Sequence, residues 1–501
     1  MRQLTSLDHQ FLAMETATTY GHVSGLAVYD PSTRPDGRLT RADVCRLVGE
    51  RIHLLPPFRW KLTEVPFGLD QPYWIQDPDF DLDFHIRETA VPPPGGPEQL
   101  ATQVARIFSR PLDRGHPLWE LYLIHGIDGD RVGLMTKIHH SAVDGVSGAE
   151  VLSVLLDDSA DGREVEPPEP DSDVDERRPA DLEMLARGLA GVPRQPLRAL
   201  RALPGTVANL DSATLRWAPG AGTLARAARE IARFVPGADA GDGSVLDMPS
   251  VQAPRTRFNG PISPHRRFAM GQIPLGTVKA MKNAAGASVN DVVVTICATA
   301  VREWLLERDE LPEEPLVAMV PVSVRGPEER GTFGNRVSVM IAPVPTHLAD
   351  PVERLRFAHE TLGAAKERHR ATPATLLQDA TQFIPPTLMS RAARATVRAV
   401  AAGPLRPPLN LIISNVPGPR EPLYLAGARL EAHYPVSVIT DGVGLNITCM
   451  SYLDQIDFGV VCDRDQVDDA WPFIAAIERA CRELDAAVCG TRAEAEAPAS
   501  A

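Results

Sequence analysis

The alternation of hydrophobic and polar residues predicts short strands and helices that follow one another through the first third of the chain. The pattern HVSGLAVYD over 22–30 predicts a strand, as does RVGLMTKIHH over 131–140. Between them, DVCRLVGERI over 43–52 has the spacing of a helix. Since strands and helices intermix here, residues 1–157 are expected to form one compact α/β lobe.

A second pattern of this kind begins near Pro254 and predicts another α/β lobe over residues 254–490. Helices are expected over 287–305 and 350–369, and strands over 316–324 and 409–416. The hairpin that closes this lobe has the clearest pattern. Leu445, Ile447 and Cys449 alternate with Asn446, Thr448 and Met450, and Ile456, Phe458 and Val460 follow a short turn.

The composition changes sharply between the two lobes, over residues 158–253. From 157 to 178 the chain is rich in acidic residues and proline, which is typical of a surface linker. Over 181–234 arginines are interspersed with Leu, Ala and Val, which predicts a basic amphipathic helical connector, and 375–400 has a similar pattern. Contact with an anionic lipid surface and an ordinary solvated face both remain open for these segments. The tail, 491–501, is expected to be disordered.

Length and charge narrow the classes of function. With 501 residues, 44% of them hydrophobic, the chain is long enough for two domains with large cores. Its formal net charge of -14 opposes binding to a polyanionic phosphate backbone, so nucleic acid is not an expected partner.

Cysteine usage and hydropathy indicate a cytoplasmic protein. The six cysteines stand singly in apolar stretches without a CxxC pair, which is typical of reduced, buried thiols rather than of structural zinc. The opening residues, MRQLTSLDHQFLAMET, lack the pattern of a secretory signal. No uncharged apolar stretch reaches the roughly 18 residues that a membrane-spanning helix requires. Any contact with the inner membrane face or with lipid droplets is therefore expected to be peripheral.

The candidate chemistry lies at the end of the predicted strand over 131–140. Successive side chains of a strand point to opposite faces, so His140 lies on the more apolar face with Leu134 and Ile138. His139 lies on the other face, beside Lys137. Partial desolvation favours the neutral imidazole that a general base must be. The pattern therefore predicts His140, rather than His139, as the base.

The residues after the two histidines must turn the chain into a helix. Ser147 and Glu150 have the S-x-x-E spacing of a capping box, which predicts a helix start behind the turn. Asp144 lies within the turn, where its carboxylate can bind local backbone amides or an arginine and so hold the imidazole of His140. Gly145 permits backbone angles that larger residues resist.

Other interpretations of the two histidines are open at this point. Both residues could simply satisfy hydrogen bonds at a strand end. A metal site is disfavoured, because adjacent strand residues point apart and no third ligand has a useful spacing. A serine hydrolase is disfavoured because the sequence contains no G-x-S-x-G elbow.

The string HHSAVDG over 139–145 resembles the HHxxxDG signature of the thioester-dependent acyltransferase superfamily, which includes chloramphenicol acetyltransferase and the condensation domains of peptide synthetases. Over nearly its whole length the chain resembles one branch, the bacterial wax ester synthase/acyl-CoA:diacylglycerol acyltransferase family. The motifs that carry this resemblance are LTSLDHQFLAMET, HVSGLAVYD, DPDFDLDFHIR, PLDRGHPLWELYLIHG, HHSAVDGVSG, PRTRFNGPIS, SVNDVVV, PVSVR, GNRVS, SNVPGP and GLNITCMSYLDQIDFGVVCD.

The resemblance implies an α/β fold of two chloramphenicol-acetyltransferase-like lobes, with the active-site channel between them. It implies that His140 is the general base, which agrees with the prediction from the strand faces. His139 is implied as a supporting residue of the motif, Asp144 as a structural support rather than a proton relay, and Gly145 as part of the turn.

The resemblance also indicates candidate substrate-binding residues in the second lobe. Asn290 and Asp291 precede an apolar helix, so helix capping and a place beside the channel are both open for them. Asn415 is expected in a strand-end turn near the channel. Asn446 and Thr448 point to one side of their strand and are candidates for binding the oxyanion of a tetrahedral intermediate.

The implied reaction is the single-step transfer of a fatty acyl group from acyl-CoA to an alcohol. Diacylglycerol as the acceptor gives triacylglycerol, and a long-chain alcohol gives wax ester. Acyl-CoA is a co-substrate, and neither a cofactor nor a metal is expected. Two rivals are a condensation-type enzyme that takes acyl groups from a carrier protein and an inactive lipid-binding or lipid-droplet protein that has kept the fold.

Overall fold

The structure is a computed structural model that describes residues 1–66, 70–142, 148–167, 183–184, 253–323, 337–371, 395, 397–403 and 405–490. Two six-stranded sheets and one three-stranded sheet form its β structure in these ranges. The predicted linker and connector over 158–253 and the basic stretch 375–400 lie mostly outside the described residues, and the tail over 491–501 lies wholly outside them.

The first six-stranded sheet contains both strands predicted near the start of the chain. Its strands lie in the order β12 (Tyr424–Leu425), β13 (Ala428–Val436), β2 (His22–Asp30), β7 (Arg131–His139), β6 (Trp119–Ile127) and β5 (Ile86–Ala90). Neighbours are antiparallel except for β5 and β6. The strand predicted over 131–140 ends one residue early, at His139. The first residue of β2, His22, pairs with His139, so β2 offers His140 no strand partner.

The second six-stranded sheet contains the remaining predicted strands. Its order is β10 (Val337–Val344), β9 (Leu316–Ser323), β11 (Leu411–Val416), β14 (Leu445–Tyr452), β15 (Gln455–Asp463) and β8 (Arg266–Pro274). β11 is parallel to both of its neighbours, and the other pairs are antiparallel. The small sheet has the order β1 (Arg2–Gln3), β4 (Tyr73–Gln76) and β3 (Trp60–Thr63). The predicted closing hairpin is confirmed as β14 and β15.

The helices flank these sheets. They are α1 (Ser6–Met14), α2 (Arg41–Arg51), α3 (Leu82–His85), α4 (Pro97–Phe108), α5 (Gly148–Leu155), α6 (Leu275–Ala285), α7 (Val289–Leu306), α8 (Pro351–Ala371) and α9 (Trp471–Asp485). Short 3-10 turns are Pro31–Thr33, Ile52–Leu54, Pro56–Arg59, Asp128–Asp130, His140–Ala142 and Arg257–Asn259, and Ala486–Gly490 is a π-turn. The helices predicted over 43–52, 287–305 and 350–369 are confirmed as α2, α7 and α8.

A strand from the second half of the chain, β13, belongs to the first sheet. It pairs with β2 from Arg429, opposite Asp30, to Val436, opposite Ser24. β13 also packs against the second sheet, where a Cβ atom on Gly459 would lie 1.7 Å from the carbonyl oxygen of Pro435. The two lobes are therefore interlocked through β13. The domain boundaries expected at 157 and 254 stay a prediction.

Each lobe has its own hydrophobic core, and a third apolar cluster joins the two. The joining cluster contains Val104 and Met135 from the first lobe and Phe268 and Val461 from the second. Full burial of an apolar side chain of this size contributes roughly 1.5–3 kcal/mol. This cluster therefore holds the two lobes at a fixed spacing around the site described below.

Three further features bear on membrane, metal and thiol chemistry. Among the described helices, none is long and apolar enough by itself to cross a membrane, and α6 and α7 meet those criteria only as a pair bent by 108°. The described ranges hold no group of three or more His, Cys, Asp or Glu side chains that could bind a metal ion. All six cysteines are free thiols, and four of them are buried.

Candidate active site

The predicted active-site histidines lie where β7 ends and the chain turns. His139 is the last residue of the strand, and His140 begins the 3-10 turn. The backbone N–H of His140 donates to the carbonyl of Gly21 at 2.9 Å, which ties the turn to the segment before β2. The helix predicted behind the turn begins at Gly148. Asp144, Gly145 and Ser147 lie outside the described residues.

His140 is half-buried and packs against an aromatic side chain. Its imidazole stacks on the ring of Phe11 in α1, with the ring centroids 4.6 Å apart and the planes 9° from parallel. Burial, and to a smaller extent the neighbouring His139, lowers the pKa of His140 to about 4. The imidazole is therefore neutral above about pH 5 and has a nitrogen lone pair that can accept a proton.

His139 is held between Ser141 on one side of its ring and Glu15 on the other. Its side chain is 1% exposed, and its Nδ1 accepts the backbone N–H of Ser141 at 3.1 Å. The Ser141 hydroxyl lies 2.6 Å from the same nitrogen. Because Nδ1 accepts, Nε2 is the nitrogen that can carry a proton toward Glu15 Oε1, which lies 3.2 Å away.

Glu15 is the half-buried carboxylate of this site. Its Oε1 accepts the backbone N–H of Gly21 and its Oε2 accepts from the guanidinium of Arg114, each at 2.8 Å. Burial raises the pKa of Glu15, but His139, the Gly21 N–H and Arg114 together outweigh burial and lower it to about 2. The carboxylate is therefore ionised at neutral pH and holds His139 in place.

Gly21 lies where the two histidines and the carboxylate meet. Its N–H binds Glu15, while its carbonyl binds the N–H of His140. A Cβ atom at this position would lie 2.5 Å from Nε2 of His139, a distance that no side chain allows. The absence of a side chain at Gly21 thus permits all three residues to approach one another.

A buried lysine lies two residues before the end of β7. Lys137 Nζ donates to the carbonyl of Arg110 at 2.5 Å and lies 3.4 Å from Glu120 Oε2. Burial lowers the pKa of Lys137 to about 8, although Glu120 opposes that shift. On the adjacent strand, His22 Nε2 lies 2.9 Å from the carbonyl of Phe108, and burial and the charge of Lys137 lower the pKa of His22. These contacts tie the strand to the end of α4.

The polar residues predicted on β14 bond to one another. The Thr448 hydroxyl donates to Asn446 Oδ1, and the Asn446 amide donates to the carbonyl of Val438, both at 2.8 Å. Thr448 uses its single hydroxyl proton in this bond. Asn446, whose amide carries two protons, is therefore the member of the pair that has a second N–H to offer an oxyanion.

Asp291 caps the start of α7. Its Oδ2 accepts the N–H of Ser288 at 2.9 Å, and its own N–H donates to Ser288 Oγ at 3.1 Å. The same carboxylate oxygen lies 2.8 Å from Nδ1 of His359 in α8. Helix capping thus accounts for Asp291, and Asn290 is half-buried beside it.

Asn415 is the second-last residue of β11, within the strand that the sequence predicts over 409–416 and next to its end at Val416. It is opposite Cys449 of β14, and the parallel pairing continues through Val416. Its Oδ1 lies 3.5 Å from the Cys449 sulfur.

Two family profiles match the chain, and together they span both lobes. Residues 4–293 match the profile described as the wax ester synthase/diacylglycerol acyltransferase catalytic domain, and residues 333–485 match the C-terminal domain of the same family. The chain belongs to the wax ester synthase/diacylglycerol acyltransferase family. The resemblance expected from the motifs is confirmed, and the chain is an acyl-CoA-dependent acyltransferase.

Two relatives from Mycobacterium tuberculosis carry the name diacylglycerol O-acyltransferase. One is 35% identical over 485 residues, which cover 97% of this chain and 90% of the relative. The other is 33% identical over 486 residues, which cover 96% of this chain and 98% of the relative. Both similarities span the two lobes and the segment between them.

Solved structures confirm the predicted fold. The wax ester synthase/diacylglycerol acyltransferase from Marinobacter aquaeolei matches with a TM-score of 0.65 and 29% identity, covering 97% of this chain and 100% of that chain. The starter condensation domain of rhizomide synthetase matches with a TM-score of 0.53 and 12% identity, covering 97% and 94%. The latter similarity shows the fold alone, which is the two-lobed α/β fold expected from HHxxxDG.

Sequence patterns do not assign Phe11, Glu15 or Gly21 to the site of this acyltransferase. Phe11 and Glu15 belong to the opening motif LTSLDHQFLAMET, and Gly21 follows it, so that motif marks the segment without assigning its residues. Their contacts with His139 and His140 join distant parts of the chain. No periodicity within either segment predicts such contacts.

Proposed function

We propose that this acyltransferase moves a fatty acyl group from acyl-CoA to the hydroxyl of diacylglycerol, with His140 as the general base. The observation that carries the proposal is the half-buried, neutral imidazole of His140, anchored to Gly21 and stacked on Phe11. The names of the mycobacterial relatives support diacylglycerol as the acceptor.

In the first half of the reaction, His140 takes the proton of the acceptor hydroxyl while the oxygen attacks the thioester carbonyl carbon. A C–O bond forms, and the carbonyl π electrons move to its oxygen. In the second half the C–S bond breaks, and His140 returns the proton to the leaving thiolate of coenzyme A. The products are an ester and free coenzyme A, without a covalent acyl-enzyme.

The low pKa of His140 has two opposing consequences. It keeps the imidazole in its basic form at neutral pH, but it weakens the driving force for taking a proton. The negative charge that develops on the tetrahedral intermediate offsets this weakness, since a nearby anion raises the pKa of an imidazole. Proton transfer is therefore expected to accompany the attack rather than precede it.

The other motif residues are proposed to position the base. His139, held between Ser141 and Glu15, sets the direction of the turn that carries His140. Asp144 and Gly145 are proposed to support the same turn, as the resemblance of HHSAVDG implies. In this proposal none of these residues contacts the reacting atoms.

Asn446 is the candidate for binding the oxyanion. Its amide is held by the carbonyl of Val438, and its oxygen is held by Thr448, so its remaining N–H has a fixed direction. A fixed donor of this kind stabilises developing charge without reorganising. Thr448 is assigned the role of orienting Asn446.

A second acceptor class, long-chain alcohols, is favoured by one observation. Both the matched family description and the structure from Marinobacter aquaeolei name a wax ester synthase. The same base serves either acceptor, because it acts only on the hydroxyl proton. A carrier-protein-dependent condensation enzyme has less support, since the condensation domains share the fold alone.

The assignment is tested with the His140→Ala variant, and His53→Ala, in the turn Ile52–Leu54, is the matched control. Labelled triacylglycerol formed from oleoyl-CoA and dioleoylglycerol is measured for each protein. Loss of the base is expected to lower kcat at least about 100-fold, and the control is expected to match the wild type. Undiminished turnover by His140→Ala would refute the role of His140.

Two changes of substrate separate the rival functions. Hexadecanol in place of dioleoylglycerol tests wax ester synthesis. Oleoyl-acyl carrier protein in place of oleoyl-CoA tests the condensation-type reaction. Purified protein that retains bound lipid but forms no ester from any of these pairs would identify an inactive lipid-binding protein.

A further inference from the structure

A cleft of about 490 Å³ opens between the lobes at the end of α4. We call it the arginine cleft, because five arginines contribute to its lining. They are Arg106 and Arg110 from the first lobe and Arg266, Arg267 and Arg464 from the second. A volume of this size suits a ligand as large as a nucleotide.

The arginine cleft is positively charged in a protein whose formal net charge is -14. Two carboxylates, Asp468 and Asp469, share the lining with the five arginines. Asp469 Oδ1 accepts the N–H of Trp471 and Asp468 Oδ1 accepts the N–H of Asp469, each at 3.0 Å. An excess of positive charge remains, and a concave site lined by one sign of charge concentrates anions.

Most of this positive charge is unpaired in the part of the chain that the structure describes. Arg106, Arg110 and Arg267 are exposed, and none of them forms an ion pair with a described carboxylate. Arg464 lies 3.5 Å from Asp465 at the surface. Like charges gathered in a recess repel one another, so an anion that binds among them gains free energy.

We propose that the arginine cleft binds the phosphate groups of coenzyme A, which form the 3′-phosphorylated adenosine diphosphate part of acyl-CoA. This inference rests on the proposed function, because it places the donor substrate of that reaction. Guanidinium groups bind phosphate oxygens through two parallel N–H donors, and Arg106 and Arg267 present such groups from the two lobes. The half-buried indole of Trp471 in the lining offers a flat surface on which adenine can stack.

The inner wall of the arginine cleft leads toward the catalytic turn. Arg266 is 5% exposed, donates to the carbonyl of Thr18 and lies 5.5 Å from the ring centroid of Tyr20. Tyr20 stacks on His22 with the centroids 5.6 Å apart, and His22 lies opposite His139 in the sheet. Tyr20 and His22 thus lie between the inner wall of the cleft and His139, so the cleft is next to the catalytic turn.

A phospholipid headgroup has the same phosphate chemistry, but the shape of the site favours coenzyme A. The arginines line a recess between two lobes, so a flat array of lipid phosphates would reach few of them at once. A single nucleotide can enter the recess and contact both lobes.

The test compares the Arg106→Gln/Arg267→Gln double variant with an Arg38→Gln/Arg356→Gln control, which removes the same charge at exposed positions elsewhere. Binding of coenzyme A and of dephospho-coenzyme A is measured by calorimetry. The KM is measured for oleoyl-CoA and for oleoyl-pantetheine, which lacks the nucleotide. The cleft variant is expected to weaken coenzyme A binding and to raise the KM for oleoyl-CoA at least about tenfold. Its KM for oleoyl-pantetheine and its kcat are expected to stay at the wild-type level.

Equal changes in KM for both thioesters, or no loss of coenzyme A binding, would overturn the proposal. The proposal is also wrong if the variant keeps its KM for oleoyl-CoA but loses binding to phosphatidylglycerol vesicles, because the cleft then serves a lipid phosphate. If the wild type binds coenzyme A through these arginines but forms no ester, the cleft assignment holds and the proposed function fails.

Discussion

The imidazole of His140 lies parallel to the phenyl ring of Phe11, with the ring centroids 4.6 Å apart. This contact excludes water from one face of the histidine and contributes to the burial that lowers its pKa to about 4. The protonation state of the proposed base therefore depends on a residue from the opening helix of the chain.

The pH dependence of the reaction should reflect this burial. For the wild type, kcat/KM for oleoyl-CoA is expected to fall only as the pH approaches 4, below the ordinary histidine pKa of 6.5. In Phe11→Ala, water reaches the imidazole, so the acid limb is expected to move toward 6.5. Phe11→Leu keeps an apolar cover and is the control. An acid limb at the same pH in Phe11→Ala and the wild type would show that Phe11 does not set the pKa.

Removal of the charge at Glu15 should disturb the turn without unfolding it. Glu15→Gln weakens the hold on His139, so kcat is expected to fall about tenfold through misplacement of His140. The KM for oleoyl-CoA is expected to stay within about twofold of the wild type, because no proposed substrate contact is lost.

Glu64→Gln is the matched control for Glu15. The Glu64 carboxylate also lies near Arg114, at 3.7 Å, but its side chain is 70% exposed. The Glu64 variant should keep the wild-type kcat. A parallel loss of kcat in both variants would trace the effect to Arg114 rather than to His139.

A buried ion pair in the first lobe joins the end of α2 to the segment after α5. Arg51 Nη2 lies 2.8 Å from Asp157 Oδ1, and both side chains are 2% exposed. Asp157→Ala leaves the guanidinium buried without its carboxylate, so the free energy of unfolding is expected to fall by about 3–5 kcal/mol. Urea denaturation followed by circular dichroism measures this change.

Asp83→Ala provides the comparison for Asp157. Asp83 pairs with Arg41 at 2.7 Å, but its side chain is 74% exposed. Its removal is expected to cost less than about 1 kcal/mol. If the two variants lose similar amounts of unfolding free energy, burial does not strengthen the ion pair of Arg51 and Asp157.

The crossing strand β13 should make Gly459 intolerant of a side chain. In Gly459→Ala the added methyl group meets the carbonyl oxygen of Pro435, so β13 or β15 must move, at a cost of about 1–3 kcal/mol. Gly276→Ala is the control, since a Cβ there has no neighbour within 4 Å. Thermal unfolding should show a lower Tm for the first variant only. An unchanged Tm in Gly459→Ala would show that the strands separate without cost.

Buried histidines should make the fold sensitive to acid. Burial lowers the pKa of His85, His140 and His433 to about 4, so these groups are neutral when folded and bind protons when unfolded. Between the folded value and the ordinary 6.5 the unfolded chain binds more protons, so stability falls as the pH falls. Asp457, whose pKa burial raises to about 6, opposes this trend. The urea midpoint is therefore expected to be lower at about pH 5 than at about pH 7. A higher midpoint at the lower pH would show that Asp457 dominates.

Local patterns predict the elements that a short stretch of chain specifies. The alternation in β2, β7 and the hairpin of β14 and β15 follows from the period of two in a strand, and the capping box of Ser288 and Asp291 specifies the start of α7. The choice of His140 over His139 also came from local alternation and from the motif. The predicted place of His140 on a strand face is wrong, because the strand ends at His139 and His140 lies in the turn that follows, where it stacks on Phe11.

The tertiary structure decides the features that depend on distance between remote segments. β13 joins the first sheet although it lies in the second half of the chain, because its pairing partner is β2. The Glu15 carboxylate comes close to His139 only in the folded chain. The arginines of the two lobes line one cleft only when the lobes pack together. The burial of a group and its distance from other charges depend on how remote segments pack. The sequence therefore specifies which groups can titrate or bind, and the fold specifies their charge.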